Sequence, residues 1–267
     1  MEKIHSTAIV DPAAEIADDV VIGPFTIIGP NVKIKSGADI QSRVVIDGHT
    51  EIGSNCVIAN GAVIGTPPQD KGYKGEVTMV KIGDNTILRE YTTVNRASGE
   101  GSITVVGDNC MIMAYSHIAH NCQIGNNVIM ANYAGLAGHV EVGDNAFIGG
   151  IVAIHQFVKI GKLAIISGFS GTRQDIPPFS ITDGRPAIVR GVNKVGLRRN
   201  GFSRPEIDNI RKAFRIIWFE KLNLSNAIEM VEKDVEMDDN VKHLIEFLKT
   251  SKRGVIVKRE QEEFEPI

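Results

Sequence analysis

Ile22-Gly23-Pro24-Phe25-Thr26-Ile27-Ile28-Gly29-Pro30-Asn31-Val32-Lys33-Ile34 carries an aliphatic residue at every sixth position. Working outward, the same step meets Ile4, Val10 and Ile16 on one side and Ile40, Ile46, Ile52, Ile58 and Ile64 on the other. It resumes at Ile82, Leu88 and Val94, then runs from Val106 through Ile118, Leu136 and Ile154 to Ile166. Of the 28 positions from 4 to 166, only Asp70, Glu76 and Glu100 are not aliphatic. Gly often follows the anchor, as at Gly23, Gly53, Gly83, Gly107, Gly125, Gly143 and Gly161, and Asn or Asp comes soon after. These residues tolerate tight corners between short strands. A small or branched residue sits two places before each anchor, and Cys56, Cys110 and Cys122 all occupy that slot. A hexapeptide repeat of this kind marks a parallel β-helix, three units making a coil of about 18 residues. The fold expected is mainly β, a prism with aliphatic ladders inside.

Composition agrees. The chain has 267 residues, 43% of them hydrophobic and 6% aromatic, with 27 Gly and a formal net charge of -3. That excludes a disordered chain and a nucleic-acid binder working by bulk charge. No apolar run approaches the roughly 20 residues of a membrane-spanning helix. The start, Met1-Glu2-Lys3-Ile4-His5, lacks the apolar core of a signal peptide. Three cysteines without a CxxC point to a reducing, cytoplasmic setting and no disulfide framework.

The repeat breaks twice, at 66–81 (Pro67-Pro68-Gln69-Asp70, Gly72-Tyr73-Lys74-Gly75) and at 97–105 (Ser98-Gly99-Glu100-Gly101-Ser102). Both read as loops ejected from the prism, where function tends to sit. Residues 171–191 read as a capping segment. Ser203-Arg204-Pro205-Glu206 is a helix start, followed by Ile207, Ile210, Phe214, Ile217 and Trp218 at helical spacing. A second helix starts at Leu224-Ser225-Asn226, and a third at Asp238-Asp239 ends near Gly254. The expected organisation is a β-helix domain over 1–191 and a helical domain over 192–267, with a loose charged tail after Val257.

A filled prism has no central cavity, so a site must lie outside. His117, His120, His139 and His155 avoid the anchor slots. With about 18 residues per coil, His120, Gly138-His139 and His155-Gln156 fall on neighbouring coils along one edge. Two chemistries fit four imidazoles there. One is general base catalysis on an acceptor hydroxyl or amine. The other is a three-His metal site at His117, His120 and His139.

The runs His117-Ile118-Ala119-His120-Asn121-Cys122, Gly135-Leu136-Ala137-Gly138-His139, Ile154-His155-Gln156-Phe157 and Asp175-Ile176-Pro177-Pro178 resemble the UDP-N-acetylglucosamine acyltransferases that open lipid A synthesis. So do the loop Pro68-Gln69-Asp70 … Tyr73-Lys74-Gly75-Glu76 and the entry Gly191-Val192-Asn193 … Leu197-Arg198-Arg199. The resemblance covers nearly the whole chain. It implies a left-handed β-helix and a homotrimer with three sites between subunits. It implies transfer of a 3-hydroxyacyl chain from the phosphopantetheine of acyl carrier protein to the glucosamine 3-position of a UDP-sugar, with no metal and no resident cofactor. By the same resemblance His120 is the general base and the Gly138 N–H binds the oxyanion. Gln69, Asp70, His117, His139, His155 and Gln156 position substrate, and Asn193 and Arg199 meet a phosphate. Gly168 meets the end of the acyl chain. The basic cluster Lys194, Arg198, Arg204, Arg211 and Lys212 is expected to dock the acidic carrier.

Five residues depart from the family pattern: Gly72, Asn95, Asn121, Val195 and Asn200. They leave open N-acylation of the 3-amino analogue of the UDP-sugar. Three other readings fit the same residues: an acetyl-CoA-dependent hexapeptide acetyltransferase, a metal-dependent carbonic-anhydrase-like protein, and a scaffold whose site has decayed.

Overall fold

The structure is a computed structural model and describes residues 3–256. The charged tail after Val257 lies outside the described residues. The chain winds through three sheets in rotation. The first face starts with Ile9–Val10, the second with Glu15–Ile16, the third with Val21–Ile22, and the chain returns to the first at Ile27–Ile28. Ile9 therefore pairs in parallel with Ile27, and Ile27 with Val45, eighteen residues apart. Strand alternation turns each anchor inward and its predecessor outward. Every aliphatic anchor from Ile22 to Ile166 is buried, while Ile4, with no coil beneath it, is exposed. Truncating such an anchor to Ala costs about 2–5 kcal/mol, because a rigid ladder cannot collapse into the hole.

Most corners turn through one left-handed residue three places after an anchor. Along the edge between the second and third faces that residue is Asn55, Asn85, Asn109, Asn127 and Asn145, with φ of 55–59°. Asn reaches this conformation at less cost than most side chains. The edge between the third and first faces uses Tyr91, Tyr115 and Tyr133 instead, stacked at 5.1 and 5.0 Å.

The two interruptions preserve the phase. Val63 pairs with Thr93, thirty residues on, and Thr93 with His117, twenty-four on, so the chain ejects twelve residues and then six. Both are multiples of six, so the inward register resumes unshifted, and Asp70, Glu76 and Glu100 mark the ejected units. Strands Met79–Ile82 and Ile103–Val106 reclaim the ends of both expected loops.

Beyond Ile166 the expected capping segment is a built element. Ser180–Gly184 extends the third face in parallel, and Ala187–Val192 folds back on it antiparallel. Helices α1 (Lys194–Arg199), α2 (Arg204–Phe214), α3 (Leu224–Asp234) and α4 (Asp239–Thr250) follow, with a π-helical turn at Arg215–Phe219. The capping box at Ser203 and Glu206 is present, and such caps contribute about 1 kcal/mol. α4 stops short of Gly254 because residues 251–256 return to the prism, where Val255 bridges to Asp175.

Candidate active site

His117 pairs with Gly135 and Gly135 with Ala153, which stacks His120 against Gly138 and Gln156, and Asn121 against His139 and Phe157. The backbone closes the stack. The His139 N–H donates to the His120 carbonyl at 3.0 Å, and the Phe157 N–H to that of Gly138 at 3.0 Å. These residues form the edge between the first and second faces.

The tautomer of neutral His120 follows from its neighbours. Its Nδ1 lies 2.8 Å from Asn121 Oδ1. The Asn121 amide cannot turn over, because Oδ1 accepts the Ser98 N–H at 2.9 Å and Nδ2 donates to the Ser98 carbonyl at 3.0 Å. An amide oxygen only accepts, so Nδ1 of neutral His120 carries the proton and Nε2 carries the lone pair. That is the form a general base needs.

Nε2 faces Gly138. A Cβ on Gly138 would stand 2.5 Å from both Cε1 and Nε2 of His120, so only glycine fits against this ring. The Gly138 N–H has no protein acceptor among the described residues. His139, at φ 61°, presents its ring edge-on to His120 at 5.3 Å between centroids and stacks on Phe157 at 4.6 Å. Burial holds the His139 and His117 imidazoles below the usual histidine range, and the neighbouring His120 adds to it. His117 Nδ1 lies 2.7 Å from Thr93 Oγ1.

The first loop reaches this edge. The Gly72 N–H and the Ser98 hydroxyl bond to the Asp70 carboxylate at 2.9 and 2.8 Å and hold it below the usual carboxylate range, with His120 and His139 adding attraction. Ser98 thus joins Asp70 to Asn121 and His120. Asn95 anchors the loop, its Nδ2 donating to Thr66 Oγ1 and the Pro67 carbonyl. Arg96 bonds Tyr73 Oη and the Gly65 carbonyl.

The remaining sequence-predicted residues are distributed differently. Gln69 and Gln156 are exposed. His155 meets Arg253, with Nδ1 3.1 Å from Nη2. Asn193 is placed as a buried helix cap: its Oδ1 accepts the Gly196 N–H and its Nδ2 donates to the Leu163 carbonyl. Its side chain thus supports α1 from a buried position, with one amide N–H and one oxygen lone pair in use. Arg199 is exposed on the last turn of α1. Lys194, Arg198, Arg204 and Arg211 line a cavity of about 450 Å³ floored by Phe202 and Ile207, and Lys212 lies outside that lining. Asp208 pairs with Arg211 at 2.9 Å and partly neutralises the cluster. Gly168 sits on another edge, the one between the third and first faces, over Gly150. Among the described residues no three His, Cys, Asp or Glu are arranged to share one metal ion. Sequence reading missed Ser98, Thr93 and Arg253, whose partners lie 23 to 98 residues away with no local motif to announce them.

Relatives decide the family. The acyl-[acyl-carrier-protein]--UDP-N-acetylglucosamine O-acyltransferase of Thermodesulfovibrio yellowstonii is 54% identical over 96% of this chain and 99% of its own length. The chain belongs to the UDP-N-acetylglucosamine O-acyltransferase family. The family member of Aquifex aeolicus is 52% identical over 95% of this chain and 97% of its own. Two solved UDP-N-acetylglucosamine acyltransferases share the fold. That of Bacteroides fragilis has TM-score 0.92 and 38% identity, covering 95% of this chain and 99% of that one. That of Francisella novicida has TM-score 0.93 and 36% identity, covering 96% and 95%. The family's own model, "Udp N-acetylglucosamine O-acyltransferase; Domain 2", matches residues 175–256. A bacterial transferase hexapeptide model matches 103–138, and a GMPPB C-terminal domain model matches 4–98. The hexapeptide match ends at Gly138, inside the His120 edge, and the acyltransferase match begins at Asp175, where the chain's last strap returns to the prism.

Proposed function

We propose that this protein transfers a 3-hydroxyacyl chain from acyl carrier protein to the 3-hydroxyl of UDP-N-acetylglucosamine, the first step of lipid A synthesis, with His120 as general base. The observation that carries the reading is the His120–Gly138 pair: an Nε2 lone pair, fixed through Asn121, next to an unused backbone N–H. Nε2 takes the proton of the acceptor hydroxyl as its oxygen attacks the thioester carbonyl. The carbonyl electron pair moves onto oxygen, where the Gly138 N–H stabilises it. Collapse of the tetrahedral intermediate breaks the C–S bond, and the imidazolium returns its proton to the departing thiolate. The thioester supplies the driving force, so base and oxyanion donor suffice.

Asn121 orients His120 but adds no negative charge. The Asp70 carboxylate, coupled to His120 and His139 electrostatically, is the group that offsets the imidazolium. Gln69, Asp70, His117, His139, His155 and Gln156 then hold the acceptor and the thioester, and Arg199 offers an exposed cation for phosphate. The acyl chain crosses the first face. Its outward residues beyond His117 are Gly135, Ala153 and Gly171, a lane of small side chains leading toward Gly150 and Gly168. The lane climbs three coils, about 14 Å at a strand spacing of about 4.8 Å. Lys194, Arg198, Arg204 and Arg211, with Lys212 beside them, form the carrier's landing surface.

Three copies complete the site. Outward residues of the second face alternate in charge and pair, as Lys33 with Glu15 and Lys159 with Glu141. The other two faces point apolar side chains outward, such as Ile9, Ile27, Val21 and Phe147, and the edge between them exposes Tyr91, Tyr115, Tyr133, Ile151 and Phe169. Two apolar faces meeting at an apolar edge suit three prisms around one axis. The His120 edge then lies at the rim of each contact. No helix among the described residues is long and apolar enough to cross a membrane, and we place the enzyme in the cytoplasm. The test is transfer from a 3-hydroxyacyl carrier protein to UDP-N-acetylglucosamine, with sedimentation reporting the trimer. A monomer with full activity refutes the shared site.

A further inference from the structure

The segment 251–256 runs back over the mouth of the prism and is fastened at several points. Asp175, itself buried, receives the Lys159 N–H on one carboxylate oxygen and the Ser251 hydroxyl on the other, at 2.8 and 2.6 Å. Its own N–H donates to the Gly254 carbonyl, and its carbonyl accepts the Ile256 N–H. The Trp218 indole donates to the Ile256 carbonyl at 2.8 Å, and Val255 and Ile256 are buried. A strap held this way leaves Lys252 exposed and turns Arg253 inward along the prism. Arg253 Nε donates to the Arg173 carbonyl at 3.3 Å, and Nη2 reaches His155 Nδ1 at 3.1 Å.

Two consequences follow. A guanidinium has no acceptor, so the bond to His155 requires the Nδ1 lone pair and puts the imidazole proton on Nε2. The competing contact, Nδ1 to the Gln156 carbonyl at 3.3 Å, needs the opposite tautomer and is longer. The second consequence concerns charge. Arg253 is half-buried, and among the described residues no carboxylate pairs with it. A cation held by two hydrogen bonds, with no carboxylate partner among the described residues and beside a residue of the substrate edge, matches a ligand that brings its own negative charge. Both substrates of the proposed reaction do, as the diphosphate of the sugar nucleotide and the phosphodiester of the pantetheine arm.

We propose that Arg253 is a substrate-positioning residue that holds His155 as the Nε2–H tautomer and presents its guanidinium to a substrate phosphate. The inference rests on the proposed acyl transfer for the identity of the phosphates, while its two readouts need no turnover. The first is the long-range ¹H–¹⁵N spectrum of the ligand-free full chain, with His155 assigned by His155→Gln. A pyrrole-type Nε2 in the wild type, lost or mixed in Arg253→Ala, is expected. A proton on Nδ1 in the wild type overturns the proposal. The second is calorimetric binding of uridine diphosphate and, separately, of 4′-phosphopantetheine. Arg253→Ala weakens one of them roughly tenfold or more, and which one names the phosphate. Arg253→Lys restores only part, having lost the fork. Lys252→Ala removes the same charge from an exposed neighbour and leaves both unchanged. Binding of both probes within twofold of wild type in Arg253→Ala, or equal losses in Lys252→Ala, overturns the proposal. A wild type that binds these probes yet transfers no acyl group overturns the reaction instead and leaves this assignment standing.

Discussion

Gly138→Ala is the smallest change that reaches the proposed chemistry. The added Cβ would lie 2.5 Å from Cε1 and Nε2 of His120 and 3.2 Å from Cδ2. Ordinary contact begins near 3.4 Å, so the ring must retreat by about 1 Å or the coil must open. The coil is locked above and below by the His139 and Phe157 amide bonds, so the ring moves. A retreat of that size stretches the 2.8 Å bond to Asn121 past hydrogen-bonding distance. It also shifts Nε2 off the acceptor proton, and misplacement by about 1 Å costs roughly a hundredfold in rate, or about 2.7 kcal/mol. Alanine keeps the backbone N–H, so the loss isolates the position of the base from the oxyanion bond. The assay is kcat at saturating acyl carrier protein and UDP-N-acetylglucosamine, with a thermal melt to confirm the fold. His120→Ala and the double variant close a cycle, and the double is expected to be no worse than His120→Ala alone. Wild-type kcat in Gly138→Ala refutes the reasoning, as does a double variant that loses the two effects additively.

Three further outcomes are expected. Asn121→Ala frees His120 to take either tautomer and lowers kcat roughly 10–100-fold with little change in KM for either substrate; an unchanged kcat contradicts the assigned tautomer. Gly168→Met narrows the end of the small-residue lane, so the ratio of kcat/KM for long over shorter 3-hydroxyacyl carriers falls, and a constant ratio removes Gly168 from the acyl path. The third concerns pH. His117 and His139 are held below the ordinary value of 6.5 by burial, so the unfolded chain binds their protons more readily. Stability is then full above about pH 6.5 and is lost as pH falls through the folded values. The melting temperature drops from pH 7 to pH 5, and His117→Asn flattens that slope; equal slopes refute the assignment.

The fold was legible because the period of six survives its own interruptions. Ejecting twelve residues and then six leaves every later anchor in phase, so Ile82 and Val106 continue the second-face ladder begun at Ile16. The His edge was legible for the same reason, since coil length alone brings His120, Gly138 and Gln156 together. What the pattern does not encode is the cross-linking of the loops. Ser98 fixes the Asn121 amide from 23 residues away, and nothing in Ser98-Gly99 distinguishes that bond from an ordinary turn. Asn193 illustrates the reverse. An Asn before a short helix with Gly three residues on has the signature of a cap, a local role that the family motif does not announce. Arg253 was invisible because its partner His155 stands 98 residues away across a strap whose path depends on the buried Asp175.

The central claim is that His120 deprotonates the 3-hydroxyl of a UDP-sugar that receives an acyl chain from a carrier protein. The most direct measurement offers 3-hydroxyacyl carrier proteins of several chain lengths to UDP-N-acetylglucosamine and its 3-amino analogue, with wild type and His120→Ala side by side. The account predicts an ester on UDP-N-acetylglucosamine in the wild type and loss of that activity by several orders of magnitude in the variant. Transfer to neither acceptor from a carrier shown to be acylated, or a His120→Ala variant as fast as wild type, contradicts it.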